Sequence, residues 1–265
     1  MKYFEVPPEK FNGKIPYIVS DLIEEMKRRK VEKIQGIFRL NGSDVRCKEL
    51  IDSLNNGRVT DFSQYSDINT LSTVLKRYFR KMSETNPLFP FSLYNKIISA
   101  MNDSSMTEEQ HINLLRPLLR SEMSECRLKI LKYLCQFLTF LAENESENQM
   151  NINNLSICIA PNVIVPQHQS DDAMKESGLV NNAFALIVRN YETFLDGITI
   201  NEEDIMTDED FALMTSPKFV VSTLQHLILR CKEREDTLIP YIPYCQISNN
   251  PRYKRPTKVL QLNDS

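Results

Sequence analysis

The sequence predicts an all-α fold, and two observations carry this prediction. Along most of the chain, apolar residues recur three and four positions apart, the spacing that places them on one face of a helix. Several of these segments begin at residues that start helices, such as Pro16, Asp67 and the pair Thr107 and Gln110. With 265 residues, the chain is long enough for one large helical domain or for a domain with a tail.

The first three helices are predicted in the first third of the chain. The first begins at Pro16 and ends in the cationic run at residues 27–30, which suits the negative end of the helix dipole. Ser43 is expected to cap the second helix, which stops at Gly57, and Asp67 is expected to start the third. The apolar face of the third helix consists of Leu71, Val74, Leu75, Tyr78, Phe79 and Met82.

The later helices of the domain are marked by caps and prolines. Thr107 and Gln110 form a predicted capping box, and Pro117 is expected to end or kink the helix that follows. Ser124 is expected to cap the central core helix. The apolar residues of that helix are Leu128, Leu131, Leu134, Cys135, Leu138 and Leu141. The domain is expected to comprise residues 1–197.

Residues 198–265 are predicted to be an appendage with three parts. An acidic linker comes first, then an amphipathic helix at residues 220–231, then a basic tail that contains prolines. We expect the helix to dock on the domain, because an isolated helix of this length is marginal in water. The cations of the tail are more often a solvated surface, although they would also permit weak contact with an anionic membrane.

Composition and charge exclude several classes of function. The net charge of -3 provides no general basic field for nucleic acid. No stretch reaches the roughly 18 apolar residues of a membrane-spanning helix, and the N-terminus lacks a hydrophobic signal region. The cysteines form no Cys-x-x-Cys pair and the histidines are scattered, so no metal site is expected. Cysteines among apolar residues suit a reducing compartment, and we expect the protein to be cytoplasmic.

The motifs of self-contained catalysis are absent from the sequence. It contains no Gly-x-x-x-x-Gly-Lys-Ser/Thr or Gly-x-Gly-x-x-Gly phosphate-binding motif and no Gly-x-Ser-x-Gly elbow. No histidine-bearing catalytic constellation is present either. We therefore expect neither an enzyme with its own active site nor a bound cofactor.

The loop at residues 36–43, with the sequence Gly-Ile-Phe-Arg-Leu-Asn-Gly-Ser, is the stretch around which the chain is organised. Its two glycines suit a backbone with positive φ or a close approach, and its apolar residues would attach it to a core. Arg39 lies between those apolar residues. It is either an ordinary surface arginine, the commoner case, or a guanidinium held outward for an anionic partner.

Two further segments combine polar side chains with a restrained backbone. On the third helix, Lys76 and Arg80 lie four residues apart on the face opposite the apolar residues, within a run of four cations. Such a run is usually a solvated face, but it could also meet an acidic partner. Asn162 follows Pro161, which is expected to interrupt a helix, so Asn162 is placed at a helix end or turn. Its amide could satisfy backbone groups freed there.

Three of these segments, taken in order, resemble the successive signatures of the GTPase-activating domain for Rho-family GTPases (RhoGAP). They are residues 36–39, 75–80 and 154–162, and the Ile-Pro pair at residues 15–16 also matches. The resemblance covers roughly residues 11–197. It implies a bundle of about nine helices, which agrees with the independent helical prediction.

The resemblance also implies roles for four residues. Arg39 corresponds to an arginine finger, a catalytic residue supplied in trans to a Rho-, Rac- or Cdc42-type small GTPase in its GTP form. Lys76 and Asn162 correspond to GTPase-binding residues, and Arg80 to a residue that supports the finger loop through its backbone carbonyls. GTP and Mg²⁺ would be bound by the GTPase and not by this chain.

The sequence departs from the family pattern in three places. Residues 82–90 lack the first proline of the usual Leu-Pro-x-Pro-Leu, Ala160 replaces a glycine, and Leu40 stands where a second arginine is common. None of these changes removes a residue that is expected to act. The alternative function is a catalytically silent module of the same fold that binds a GTPase or a scaffold protein. The presence of all four site residues favours activation over the silent alternative.

Overall fold

The computed structural model describes residues 4, 6–11, 13–168 and 172–215. Within these residues there are eleven α-helices and no strand, which confirms the predicted all-α class. The helices are α1 (Tyr17–Arg28), α2 (Asp44–Asn56), α3 (Ile68–Met82), α4 (Phe91–Met101), α5 (Glu108–Glu122), α6 (Glu125–Ala142), α7 (Glu145–Asn148), α8 (Ile152–Val163), α9 (Ala173–Arg189), α10 (Tyr191–Phe194) and α11 (Asp208–Thr215). The chain forms two compact units, Met1–Phe211 and Ala212–Ser265. The predicted helix at residues 220–231 and the predicted tail lie outside the described residues.

Several helices begin where the sequence predicts. Pro16 directly precedes α1, and the Asp67 side chain accepts a hydrogen bond from the Asn69 amide at the start of α3. Thr107 and Gln110 form the predicted capping box of α5, in which each side chain accepts a hydrogen bond from the other residue's backbone N–H. These contacts satisfy amides that have no partner within the helix.

Other helix ends differ from the prediction. Ser43 and Ser124 hold the N-cap positions of α2 and α6, but neither side chain makes a capping hydrogen bond. The Ser124 hydroxyl instead donates to Glu9 at 3.2 Å. Pro117 does not end α5, which continues to Glu122. Because Pro117 and Asn113, four residues before it, both lie on the exposed side of the helix, water can satisfy the carbonyl that the proline leaves free.

The central helix of the bundle is α6, as the sequence predicts. Leu131, Leu134 and Leu138 are fully buried on it, and it packs against α8, α9 and α10. On the other side of the core, α3 lies between α1, α2 and α8. This position brings the cationic face of α3 into contact with both the loop at residues 36–43 and the end of α8.

A buried arginine fixes the segment that departs from the family pattern. The Arg127 side chain on α6 is only 5% exposed. It donates to the carbonyls of Pro87 and Leu88, to the side-chain oxygen of Asn86 and to the Glu9 carboxylate. A buried cation requires such partners. The segment after α3 is therefore held by α6 and by the N-terminal residues, although one of its usual prolines is missing.

The acidic stretch after Gly197 belongs to the first unit and is packed against other segments of it. The backbone of Ile205 forms a parallel bridge with Ile15, and Met206 is buried. Lys129 pairs with Asp204 at 2.7 Å. The first unit thus extends beyond the boundary expected at Gly197, because acidic residues that looked like a solvated linker find cations on the domain.

Candidate functional site

The backbone conformation of the loop at residues 36–43 could be predicted only in part from the sequence. Gly36 has a φ of 68°, as a glycine in a tight turn is expected to have, but Phe38 also has a positive φ of 66°. A bulky residue rarely adopts this conformation without compensation. Here the Phe38 ring is fully buried and packs edge-on against Phe137, with ring centroids 6.1 Å apart. Burial of the ring thus offsets the unfavourable backbone.

Arg39 lies on the outer side of this loop. Its side chain is exposed and makes no hydrogen bond or ion pair with any of the described residues. Its guanidinium lies over Gly36, where an added Cβ would be 3.2 Å from Nη2. The five donors of the guanidinium are therefore free for a partner, on a backbone that is itself anchored.

A buried amide fixes the base of the loop. The backbone carbonyl of Asn148 accepts from Gly36 N at 2.8 Å. Its side chain donates to the carbonyls of Glu32 and Leu141, and its Oδ1 accepts from Met150 N. Asn148 thus joins the loop to the end of α6 and the start of α8. The sequence pattern alone did not single out Asn148, the last residue of α7, although an asparagine that accepts from the backbone N–H two residues later is typical of a turn.

The far end of the loop touches α3 at a glycine. Gly42 donates its N–H to Thr73 Oγ1 at 3.0 Å. A Cβ at Gly42 would lie 2.4 Å from both the Cα and the nitrogen of Thr70, a distance that no side chain can occupy. Gly42 is therefore required for close approach, one of the two reasons the sequence suggested for the glycines of this loop.

Lys76 makes the contact that was expected of Arg80. Its ammonium donates to the Phe38 carbonyl at 2.5 Å and to Asn41 Oδ1 at 3.0 Å. Its side chain is half-buried, and this burial lowers its pKa from the ordinary value. Lys76 thus holds the carbonyl directly before Arg39, while its predicted role as a GTPase contact stays a prediction.

Arg80 does not touch the loop, so the prediction that it supports the loop carbonyls is not met in this structure. Arg80 is exposed, and its Nη1 donates to the Pro161 carbonyl near the end of α8, at 3.1 Å. Arg80 misses the loop because of its position along the axis of α3. Because Gly42 packs at the level of Thr70 and Thr73, the loop lies beside Lys76, and Arg80 is about 6 Å further along the helix axis.

The two other cations of the run on α3 are paired with acidic residues. Arg77 Nη2 lies 2.6 Å from Asp44 at the start of α2, and Lys81 lies 2.7 Å from Glu84. The imbalance seen in the sequence of α3 is thus reduced by acids from neighbouring segments. Arg39 and Arg80 are the exposed cations of this face without an acidic partner among the described residues.

Asn162 lies in the last turn of α8, the helix end at which the sequence placed it. The helix nevertheless runs through Pro161 to Val163, so the proline does not interrupt it. Only the last turn lies beyond the proline, which limits the cost of its missing N–H. The Asn162 amide nitrogen donates to the Cys158 carbonyl at 2.9 Å. This satisfies backbone at the helix end, and no hydrogen bond to its Oδ1 is found within the described residues.

These residues form one continuous surface. The loop is bonded to α3 through Lys76, α3 is bonded to α8 through Arg80, and the thiol of Cys158 on α8 lies within the electrostatic reach of Arg39. Burial raises the pKa of that thiol, and the charges of Lys76 and Arg39 oppose the rise. The structure thus brings the four predicted site residues to the same side of the bundle.

The described ranges contain neither a cluster of metal ligands nor a membrane-spanning helix. No group of three or more His, Cys, Asp or Glu side chains there could hold a metal ion. No helix in that part of the chain is long and apolar enough to cross a membrane.

Comparison with known proteins identifies relatives of this chain. Residues 16–168 match the RhoGAP domain family. The Dictyostelium discoideum protein named Rho GTPase-activating protein gacY is 33% identical over 179 residues, which is 67% of this chain and 24% of the relative. The Homo sapiens SLIT-ROBO Rho GTPase-activating protein 1 is 34% identical over 183 residues, 68% of this chain and 16% of the relative. This chain therefore spans about a quarter or less of the length of these relatives.

Solved structures share the fold. The crystal structure of human Rho GTPase activating protein 15 superposes with a TM-score of 0.61 at 23% identity, covering 67% of this chain and 82% of that one. The BH domain from GRAF, the GTPase regulator associated with focal adhesion kinase, gives a TM-score of 0.60 at 19% identity and covers 70% and 100%.

Proposed function

Because the chain belongs to the RhoGAP domain family, we propose that it accelerates GTP hydrolysis by a small GTPase of the Rho family. The observation that carries this proposal is the exposed guanidinium of Arg39, which has no partner among the described residues. The loop that bears it is anchored through the hydrogen bond from Gly36 to Asn148. A surface arginine without function has no need of a buried phenylalanine, a close-approach glycine and a lysine to position its backbone. The activity would be that of an activator in the cytoplasm, with GTP and Mg²⁺ bound by the GTPase.

The chemistry explains why such an arginine would matter. During phosphoryl transfer, negative charge spreads over the oxygens of the transferred group, and a planar guanidinium can bridge two of them. An arginine supplied in trans is worth about 10³–10⁵ in rate in well-studied small GTPases. This corresponds to roughly 4–7 kcal/mol of activation free energy. Arg39 is proposed to supply this stabilisation.

Positioning is the second part of the proposal. A freely moving arginine loses conformational entropy each time it is used. The Lys76 ammonium limits the backbone part of this loss for Arg39, because it fixes the Phe38 carbonyl one residue earlier. We therefore assign Lys76 a positioning role. Contact with the GTPase becomes a secondary role, because the ammonium already donates to two groups of the loop.

Arg80 and Asn162 are proposed to face the GTPase. Among the described residues, Arg80 uses one nitrogen, for the Pro161 carbonyl, so its remaining donors can meet an acidic or carbonyl group of the partner. Asn162 uses its amide nitrogen on α8, which leaves its side-chain oxygen as an acceptor. Arg80 reaches the end of α8 from α3, and Asn162 lies in the last turn of α8.

A single-turnover hydrolysis assay tests the proposal. Rho-, Rac- and Cdc42-type GTPases loaded with GTP are followed with and without this protein over a range of concentrations. The proposed function predicts saturable acceleration of at least one of them. Binding of the GTP form without acceleration would instead identify the chain as a silent module of the same fold.

A further inference from the structure

Two large apolar side chains are exposed on the face that carries Arg39. Leu40 in the loop is 51% exposed, and Ile157 on α8 is 57% exposed. Exposed leucines and isoleucines scattered singly need no explanation, so their location decides whether they matter. We call these two residues the apolar rim.

Leu40 lies directly beside the guanidinium. The space above Gly36 is bordered on one side by Arg39 and on another by Leu40, whose Cγ would be 3.3 Å from a Cβ added to Gly36. The charged group and the isobutyl group of consecutive residues therefore rest on the same glycine. Leu40 is therefore placed to be covered by a partner that reaches the guanidinium.

Ile157 borders the same region from α8. It precedes Pro161 by four residues, so the two share a helix face. Pro161 is exposed and receives the hydrogen bond from Arg80. The neighbour of Ile157, Cys158, accepts at its backbone carbonyl from the side chain of Asn162 at 2.9 Å. The apolar rim therefore adjoins the cationic residues of the site from the loop and from α8.

Apart from Arg80, the charged residues of this face are poor sources of affinity. Arg77 and Lys81 are already paired with acids, and Lys76 is committed to the loop. Exposed ion pairs contribute little, and an arginine that acts in the transition state contributes little to binding before it. Beyond the remaining donors of Arg80, ground-state affinity therefore requires another source, and burial of apolar area is the usual one.

We propose that the apolar rim, Leu40 and Ile157, is the affinity-determining contact of this surface and is covered by apolar side chains next to the nucleotide of a Rho-family GTPase in its GTP form. This inference rests on the proposed function for the identity of the partner. The rim is continuous with Arg39, so a GTPase that receives the guanidinium buries both apolar residues in the same step.

The test uses Leu40→Ser, Ile157→Ser and the double variant in the full chain. As a matched control, Leu114→Ser changes an apolar residue on α5 that is 42% exposed and belongs to no part of the site. For each single rim variant we expect the half-saturating concentration of GTPase to rise about tenfold, which is about 1.4 kcal/mol, and for the double variant to rise further, with an unchanged rate at saturation. The factor should be the same at low and high salt, because apolar burial is not screened. Direct titration with a GTPase bound to a non-hydrolysable GTP analogue should give the same shift.

The outcomes separate this inference from the proposed function. If the wild type accelerates hydrolysis and the rim variants bind as tightly as Leu114→Ser, the proposed role of the rim in affinity is wrong and the proposed function stands. If the wild type binds without acceleration and the rim variants bind more weakly, the proposed role of the rim in affinity is supported and the proposed activation is wrong. A wild type that neither binds nor activates any Rho-family GTPase overturns both.

Discussion

The Lys76 ammonium lies 2.5 Å from the Phe38 carbonyl, one residue before Arg39. This contact connects a helix to a backbone carbonyl whose residue has positive φ, so it fixes the direction in which the chain enters Arg39. It also gives Lys76 a role that differs from that of Arg80, which lies one turn further along α3 and binds the end of α8.

We expect Lys76→Met to lower the saturated rate of GTP hydrolysis by about tenfold or more, because the arginine is then less well positioned. If Lys76 acts through Arg39, the same substitution made in Arg39→Ala should change the rate little, and the double-mutant cycle should show a large coupling. Lys81→Met, on the same helix, is the matched control and should leave the saturated rate near wild type. Equal losses from Lys76→Met in both backgrounds would contradict a positioning role.

Gly42 provides a test of the loop geometry by stability. In Gly42→Ala the new methyl group meets the Thr70 backbone, which cannot move aside as a side-chain end could. We expect the free energy of unfolding to fall by about 1–3 kcal/mol. The control is Gly57→Ala, where nothing lies within 4 Å and the backbone is extended, with a φ of 169°. Urea unfolding of both variants decides the point, and equal midpoints would show that the loop does not pack on α3 as described.

The Glu9–Arg127 pair predicts a specific pH dependence. Burial alone would raise the pKa of Glu9, but the hydrogen bonds and charge of Arg127 outweigh it and hold the pKa below its ordinary value of 4.5. A carboxyl whose pKa is depressed on folding stabilises the protein above its unfolded-state pKa. That contribution is lost as the pH falls through the folded-state value.

We therefore expect Glu9→Gln to be less stable than wild type near neutral pH. The difference should remain down to about pH 5 and shrink as the pH falls below 4.5. Thermal unfolding of both proteins over this range measures it. As a control, Glu49→Gln removes an exposed carboxylate whose ion pair in the described part of the chain is with the exposed Arg46, and it should have a small effect at every pH. A Glu9 effect that grows toward acid pH would exclude the pair as a source of stability.

The elements that could be predicted from the sequence are those governed by local rules. The helical period, the capping box at Thr107 and the N-cap at Asp67 depend only on nearby residues, and all are present. The exposure of Arg39 followed from its place between apolar residues that anchor the loop. Local chemistry decided these cases without any need for the tertiary structure.

The elements that could not be predicted depend on contacts between distant residues. Whether Lys76 or Arg80 reaches the loop is decided by the level at which Gly42 packs on α3. The acid that neutralises Arg77 belongs to α2, 33 residues away in sequence. The acidic stretch after Gly197 likewise has the sequence of a solvated linker, yet Asp204 pairs with Lys129 and Ile205 forms a bridge with Ile15.

The central claim is that Arg39 acts on the transition state, and its substitution tests this directly. We predict that Arg39→Ala keeps the thermal stability of the wild type and most of its affinity for a GTPase bound to a non-hydrolysable GTP analogue. Arg39→Lys should behave in the same way, since an ammonium cannot present the planar fork of a guanidinium.

The deciding measurement is the single-turnover rate of GTP hydrolysis at saturating concentrations of wild type, Arg39→Ala and Arg39→Lys. The account predicts a loss of about a thousandfold or more in the stimulated rate for both variants, with little change in the half-saturating concentration. A variant without the guanidinium that still accelerates hydrolysis as the wild type does would contradict the assignment of Arg39 as an arginine finger.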